Sequence, residues 1–156
     1  MMVELMIRRL QKQEEIPYQL LLLADPSKKN IDTYILGADI YIAEKEEKII
    51  ACYVLKAVNS NTIEIKNIAV DPANQGKGIG KILLNNACQT ASKNGFKNII
   101  IGTGNSSIGQ LYLYQKSGFG IINTVKDFFI DNYDEPIFEN GIQCKDMIVL
   151  SKTLES

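Results

Sequence analysis

The run Asn67-Ile68-Ala69-Val70-Asp71-Pro72-Ala73-Asn74-Gln75-Gly76-Lys77-Gly78-Ile79-Gly80-Lys81 constrains this chain more than any other stretch. It reads as a strand, a loop with glycines at alternate positions, and the start of a helix. Glycines leave backbone N–H groups unshielded by side chains, and the helix behind them adds its free amides and the positive end of its dipole. A loop of this kind is built to hold a phosphate.

Two better-known phosphate loops do not match. A P-loop needs Gly-x-x-x-x-Gly-Lys-Ser/Thr, but Gly76-Lys77 is followed by Gly78, and no glycine sits five residues before Gly76. The hydroxyl that would bind magnesium is missing too. The dinucleotide fingerprint wants Gly-x-Gly-x-x-Gly, and the spacing Gly76, Gly78, Gly80 does not provide it.

Composition removes several other classes. At 156 residues, the chain is long enough for one domain with a sizeable core and short for two, so residues 1–156 are expected to form a single domain. With 17 basic and 18 acidic residues there is no bias toward a nucleic-acid backbone. No stretch approaches the roughly 20 apolar residues of a membrane span. Glu4, Arg8 and Arg9 interrupt any signal-peptide core. Cys52, Cys88 and Cys144 are widely spaced and odd in number, which suits reduced thiols, so a cytoplasmic location is expected.

The chain has no histidine. Ser-His and Cys-His nucleophile pairs and histidine metal sites are therefore excluded, and no metal is expected. A general base near neutral pH must be a carboxylate, lysine, cysteine or tyrosine, or act through water.

Periodicity gives an alternating order of elements. Met2 to Arg9 reads as a strand, Glu14 to Ala24 as an apolar-faced helix, and Ser27 to Leu36 as a helix with a serine cap, closed by Gly37. Asp39 to Ala43, Lys48 to Val58 and Thr62 to Val70 form an antiparallel meander. The helix after the glycine loop carries Ile79, Leu83, Leu84, Ala87 and Ala91 at helical spacing and ends at Asn94-Gly95. Lys97 to Gly102 follows as a strand parallel to the one before the loop. Ser107 to Ser117 reads as a helix, and Phe119 to Ile130 and Gln143 to Thr153 as two last strands. Asp131 to Asn140 reads as a solvated loop, or as an acidic rim (Asp131, Asp134, Glu135, Glu139, with Asp127 nearby) that attracts a cationic amine.

The pattern Gln/Arg-x-x-Gly-x-Gly/Ala, met by Gln75, Gly78 and Gly80, resembles the acyl-coenzyme A pyrophosphate loop of the GNAT superfamily of N-acetyltransferases. Leu113-Tyr114-Gln115-Lys116-Ser117-Gly118-Phe119 resembles that family's Tyr-x-x-x-Gly-Phe helix end, in the right order. The element order βααβββαβαββ is also similar over nearly the whole chain. The resemblance implies an α/β (α+β) fold with a mixed central sheet of about seven strands and four helices. It implies acetyl-CoA as co-substrate and an amine acceptor, either a small molecule or a peptide; both monomer and homodimer stay open.

On that resemblance, Ile68, Ala69 and Val70 lie on the strand whose free backbone groups bind the pantetheine arm and thioester oxygen. The amides of Gln75, Gly76, Lys77, Gly78, Ile79, Gly80 and Lys81 would wrap the pyrophosphate, with Lys77 or Lys81 adding charge. Tyr114, protonated at neutral pH with an ordinary pKa of about 10, is the candidate general acid for the departing thiolate. Tyr112 sits on another helix face and reads as a packing residue. Glu64 is the candidate base, acting through water; simple alternation puts its side chain on the same face as that of Ile68.

Many family members carry an asparagine seven residues before the helix tyrosine, where this chain has Ser107. Either Asn105 makes that coenzyme contact, or Ser107 replaces it and caps the helix. Direct transfer without an acyl-enzyme is expected, since no cysteine has an evident activating partner. Two rivals remain: a non-catalytic acyl-CoA binding domain, and a transferase that uses another acyl donor.

Overall fold

The computed structural model describes residues 4–155. Its elements are β1 (Met6–Arg9), α1 (Tyr18–Ala24), α2 (Lys28–Ile35), β2 (Asp39–Lys45), β3 (Lys48–Ala57), β4 (Thr62–Val70), α3 (Ile79–Lys93), β5 (Asn98–Gly104), α4 (Ile108–Lys116), β6 (Gly120–Val125), α5 (Phe128–Asn132), β7 (Ile137–Glu139), β8 (Ile142–Cys144) and β9 (Met147–Thr153). Seven strands form one mixed sheet in the order β1-β2-β3-β4-β5-β9-β6, and β7 and β8 make a separate hairpin. The meander and the parallel β4–β5 pair agree with the sequence pattern.

Helices cover both faces of the sheet. On one face α3 and α4 pack Ile79, Leu83, Leu84, Ala87, Ala91 and Tyr114 against Ala51, Tyr53, Leu55, Ile63 and Ile65. On the other, Leu20 and Leu21 of α1 and Ile31 of α2 cover Ile42, Cys52, Val54 and Ala69. The fully buried Tyr53 meets α3 with a polar tip, its hydroxyl donating to the Asn86 Oδ1 at 2.6 Å.

Several expected boundaries move. Helix α1 starts at Tyr18 rather than Glu14, because a residue before proline avoids the helical region and Pro17 occupies the N-cap. Glu14 instead pairs with Arg8 at 2.7 Å. The serine cap of α2 is present, with Ser27 Oγ accepting from the Asn30 N–H at 3.2 Å. The first strand is described from Met6; Met2 and Val3 of the expected span lie outside the described residues.

The C-terminal third departs most from the expected pattern. The strand expected over Phe119 to Ile130 stops at Val125, and α5 follows, a fifth helix where four were expected. Asp127 turns the chain with φ +58°, and its N–H donates to the Asp146 carboxylate at 2.9 Å. The strand expected over Gln143 to Thr153 is two strands, β8 and β9, and the expected loop supplies β7.

Asn105 fixes the break between β8 and β9. Its amide oxygen accepts from the backbone N–H groups of Lys145 (2.7 Å) and Asp146 (2.9 Å), and its Nδ2 donates to the Gln143 carbonyl at 3.1 Å. Gly104 beside it lets this corner close, since a Cβ there would lie 2.3 Å from the Cys144 sulfur. Replacing Asn105 by Ala removes three hydrogen bonds, so urea denaturation should show a loss of about 2 kcal/mol, and hydrogen exchange at Lys145 and Asp146 should quicken ahead of the core strands. Unchanged exchange there would refute the clamp.

Candidate active site

A single extra residue in β4 creates the opening from which the site is built. Strands β3 and β4 pair Tyr53 with Ile68 and Val54 with Asn67, but the next partner of Leu55 is Ile65, so Lys66 bulges out unpaired. A bulge bends its strand and disrupts the ladder beside it. The parallel β4–β5 ladder accordingly ends at Ile65 and Ile101, although β4 runs on to Val70 and β5 to Gly104. Past that point β4 stays with β3 and β5 stays with β9, and the sheet is split.

The bulge also corrects the expected alternation. Ile63 and Ile65 before it, and Ile68 and Val70 after it, all join the α3/α4 face of the core, while Ala69 joins the α1/α2 face. Glu64 pairs with Lys56 and lies opposite to Ile63 and Ile65, on the α1/α2 side. Glu64 and Ile68 therefore point to opposite faces, and the split brings both to one cleft.

That cleft has a volume of about 550 Å³ and passes through the split. Tyr114, Ser107 and Gln110 line it from α4; Asp25 and Tyr34 line it from α1 and α2; Glu64, Lys66, Asn67 and Ile68 come from β4. Phe129, Tyr133 and Glu139 close it from the C-terminal segment. The split thus unites Glu64, Ile68, Ser107 and Tyr114. Gln75 to Lys81 do not line this cleft: they lie beyond the far end of β4.

Tyr114 is 4% exposed, and burial alone pushes its hydroxyl well above the usual tyrosine range. Its position has a local cause. Helix α4 ends in a Schellman cap: the Phe119 N–H bonds the Tyr114 carbonyl at 3.0 Å and the Gly118 N–H bonds the Gln115 carbonyl at 3.1 Å, with Gly118 at φ +98°. The Phe119 ring then packs 6.3 Å from the Tyr114 ring, the apolar contact such caps carry. Tyr112 lies outside the cleft, and against the packing reading it is largely exposed.

Glu64 lies 3.4 Å from the Lys66 ammonium, which also sits over the Tyr34 ring at 5.5 Å. Asn67 is buried, its Nδ2 donating to the Leu21 carbonyl (3.0 Å) and to the Tyr34 hydroxyl (2.9 Å). Asp25 accepts from the Tyr133 hydroxyl at 2.9 Å, a bond that joins the α1 end to the C-terminal segment. The sequence reading missed Asp25, Tyr34, Asn67 and Tyr133. Asn67 carried a signal, a polar residue in the buried register of Ile63, Ile65 and Ala69. Of the acidic stretch, Glu139 reaches the cleft, whereas Asp127, Asp131, Asp134 and Glu135 do not line it.

The glycine loop has open backbone. Gly76 (φ +76°) and Gly78 (φ +81°) both adopt the left-handed region, with empty space where a Cβ would stand. The Ile82 N–H is the first in α3 to bond back, to Gly78, so the amides of the first turn have no partner within the helix. Ile79 turns its side chain into the core, while Lys77 and Lys81 are exposed. Gln75 serves as a stitch, its Nε2 donating to the Val70 carbonyl at 3.0 Å.

Neither candidate for the asparagine-type coenzyme contact sits as expected. Asn105 does not line the cleft, and its amide oxygen is fully engaged with Lys145 and Asp146. Ser107 occupies the N-cap of α4 without capping it; its hydroxyl donates to Glu139 Oε1 at 2.9 Å. The thiols of Cys52, Cys88 and Cys144 are all raised by burial, that of Cys52 to about 12. Among the described residues no group of side chains could hold a metal ion, and no helix is long and apolar enough to cross a membrane.

Comparison with known proteins agrees with this geometry. The profile of the acetyltransferase (GNAT) family matches residues 4–119. An uncharacterized N-acetyltransferase of Bacillus subtilis, YvbK, is 52% identical over 133 residues, covering 85% of this chain and 86% of that protein. A GNAT family acetyltransferase from Elizabethkingia anophelis, solved with acetyl-CoA bound, superposes with a TM-score of 0.95 at 51% identity, over 96% of this chain and 98% of that one. A B. subtilis acetyltransferase solved with CoA gives 0.91 at 47% identity, over 97% and 100%. The chain belongs to the acetyltransferase (GNAT) family, and it is an acyl-CoA-dependent acetyltransferase.

Proposed function

We propose that this protein moves an acetyl group from acetyl-CoA to a primary amine by direct transfer in a ternary complex, within one domain and in the cytoplasm. The observation that carries the reading is the split between β4 and β5, with Tyr114 buried beside it and the glycine loop at its far end. The bound acetyl-CoA in the E. anophelis structure supports the choice of donor.

The amides from Gln75 to Lys81 would hold the pyrophosphate, with the dipole of α3 behind them. From Val70 back to Ile65 is roughly 16 Å of strand at the usual rise. Ile68, Ala69 and Val70 would offer backbone groups to the pantetheine arm along it. The split therefore leads a thioester from the loop to Tyr114. The Asn105 amide oxygen is committed to its clamp, whereas the Ser107 hydroxyl, which donates to Glu139, would still accept from a coenzyme N–H.

In the reaction, the amine nitrogen attacks the thioester carbonyl carbon. The C–N bond forms, the C–S bond breaks, and the amine proton passes through water to Glu64. Tyr114 gives its hydroxyl proton to the departing thiolate and regains one from solvent. Burial favours the neutral hydroxyl, which keeps this acid loaded to higher pH. Raised thiol pKa values at all three cysteines favour this route over an acyl-cysteine.

Calorimetry with acetyl-CoA tests the donor site: Gly78→Asp puts bulk and negative charge into the anion loop and should abolish binding that the native chain shows. Native protein without acetyl-CoA binding would overturn the reading. Tyr114→Phe should lower kcat about 100-fold. An acid is competent below its pKa, and this one is raised, so native kcat should hold a plateau past pH 9, with the mutant's profile lowered but not displaced. Glu64→Gln should cost about tenfold or more in kcat/KM at neutral pH. That deficit should narrow as pH rises and the amine loses its proton unaided; a pH-independent deficit would remove Glu64 as the base.

A further inference from the structure

We propose that the acceptor is a small diamine or polyamine whose second ammonium is held at Asp25; this rests on the acetyl-transfer reading above. The charged side chains on the cleft wall are Asp25, Glu64, Glu139 and Lys66. Three carboxylates face one ammonium, and that ammonium already lies 3.4 Å from Glu64. An acceptor carrying a carboxylate or phosphate would find no free cation there. One carrying a second positive charge would relieve the excess.

Hydrogen-bonding capacity points the same way. Asp25 accepts from the Tyr133 hydroxyl at 2.9 Å and from the Ser27 N–H at 3.1 Å, both on Oδ1; the Tyr34 hydroxyl also stands beside this carboxylate, and Oδ2 takes no hydrogen bond among the described residues. Glu139 receives Ser107 on Oε1 and keeps Oε2. The Asn67 side chain adds an independent sign. It is 4% exposed, its Nδ2 is committed to Leu21 and Tyr34, and its Oδ1 has no partner among the described residues. Asp25, Glu139 and Asn67 thus each keep an acceptor oxygen without a hydrogen bond among the described residues, and an ammonium offers three donors and no acceptor.

The remaining wall suits a cationic alkyl chain. Tyr34, Tyr133 and Phe129 present aromatic rings, the last two 5.6 Å apart, against which an ammonium is attracted and methylenes pack. Asp25 stands on the α1/α2 side of the sheet and Tyr114 on the α4 side, with the cleft running between them. A linear diamine anchored at Asp25 extends its other amine through the split toward the reacting end.

The test compares compounds of equal length that differ only in the second group: 1,4-diaminobutane, butylamine and 4-aminobutanoate, with the corresponding set built on 1,6-diaminohexane. Thiol release gives kcat/KM, and calorimetry on CoA-saturated protein gives affinity without turnover. One of the diamines should exceed the monoamine of the same chain length by about tenfold or more, the scale of one charged hydrogen bond, with the amino acid lowest. Asp25→Asn, which keeps the shape and the Ser27 contact, should cut the diamine-to-monoamine ratio about tenfold. Tyr133→Phe, which removes one of the two bonds on Oδ1 and leaves the carboxylate, should preserve the preference.

Equal or better use of butylamine or aminobutanoate, preference for a peptide amine over both diamines, or a ratio indifferent to Asp25→Asn would overturn the proposal. So would failure of either diamine to bind CoA-saturated protein more tightly than its monoamine. In all these cases acetyl-CoA binding would still stand. Loss of acetyl-CoA binding itself would sink the transferase reading, and this inference with it.

Discussion

Everything at the site depends on the bulge at Lys66. Had β4 kept its register, Asn67 would have gone on pairing in step with β3, and the parallel ladder to β5 could have continued beyond Ile65 and Ile101. A continuous sheet has no gap through which the two helical layers communicate. The extra residue does two things at once. It frees the end of β4 from β5, and it reverses which face each later residue takes, so that Ile68 shares the α3/α4 face while Asn67 turns to α1 and α2. The cost of the lost pairing is offset by the bonds from Asn67 to Leu21 and Tyr34, which tie the first two helices to the bent strand. Bulges next to functional openings fit this logic.

Elements with local causes were legible in the sequence. Glycines at 76 and 78 meet the positive φ that the loop needs, and those at 95 and 118 end their helices in Schellman caps. The Tyr-x-x-x-Gly-Phe pattern is readable because it encodes such a cap, with tyrosine and phenylalanine as its apolar pair. The strand alternation over Thr62 to Val70 is legible too, but buried and half-buried residues keep alternating regularly through the bulge while the faces switch. Nothing in the residue pattern marks that switch except the polar Asn67. The C-terminal third was hard to read for a different reason. Helix α5 has five residues and β7 and β8 three each, too short to establish a period.

Polar residues that look like ligand contacts in the sequence can be spent on structure. Asn105 has both the residue type and approximate position for a coenzyme contact, yet its carbonyl and amide hold the break before β9. Gln75 stands at the first position of the pyrophosphate pattern and stitches the loop to Val70. In both cases the side chain shapes backbone that a ligand could meet. Asp25, by contrast, sits in the turn Asp25-Pro26-Ser27 between two helices, a place where aspartate is expected for turn chemistry alone. Only the fold, by bringing Tyr133 across to it, distinguishes this aspartate from a solvated one.

The absence of histidine makes the surroundings of the remaining groups decisive. Without a histidine to titrate near neutrality, the proposed chemistry rests on a tyrosine that stays protonated and on a carboxylate. Burial supplies the first, holding the Tyr114 proton in place without any charged neighbour. The carboxylate is Glu64, with 23% of its side chain accessible and the Lys66 ammonium 3.4 Å away. The two lie on opposite faces of β4 and can share a substrate only where the sheet is open. Separation of acid from base and their meeting at the split are therefore one structural fact, set by a single extra residue in a strand.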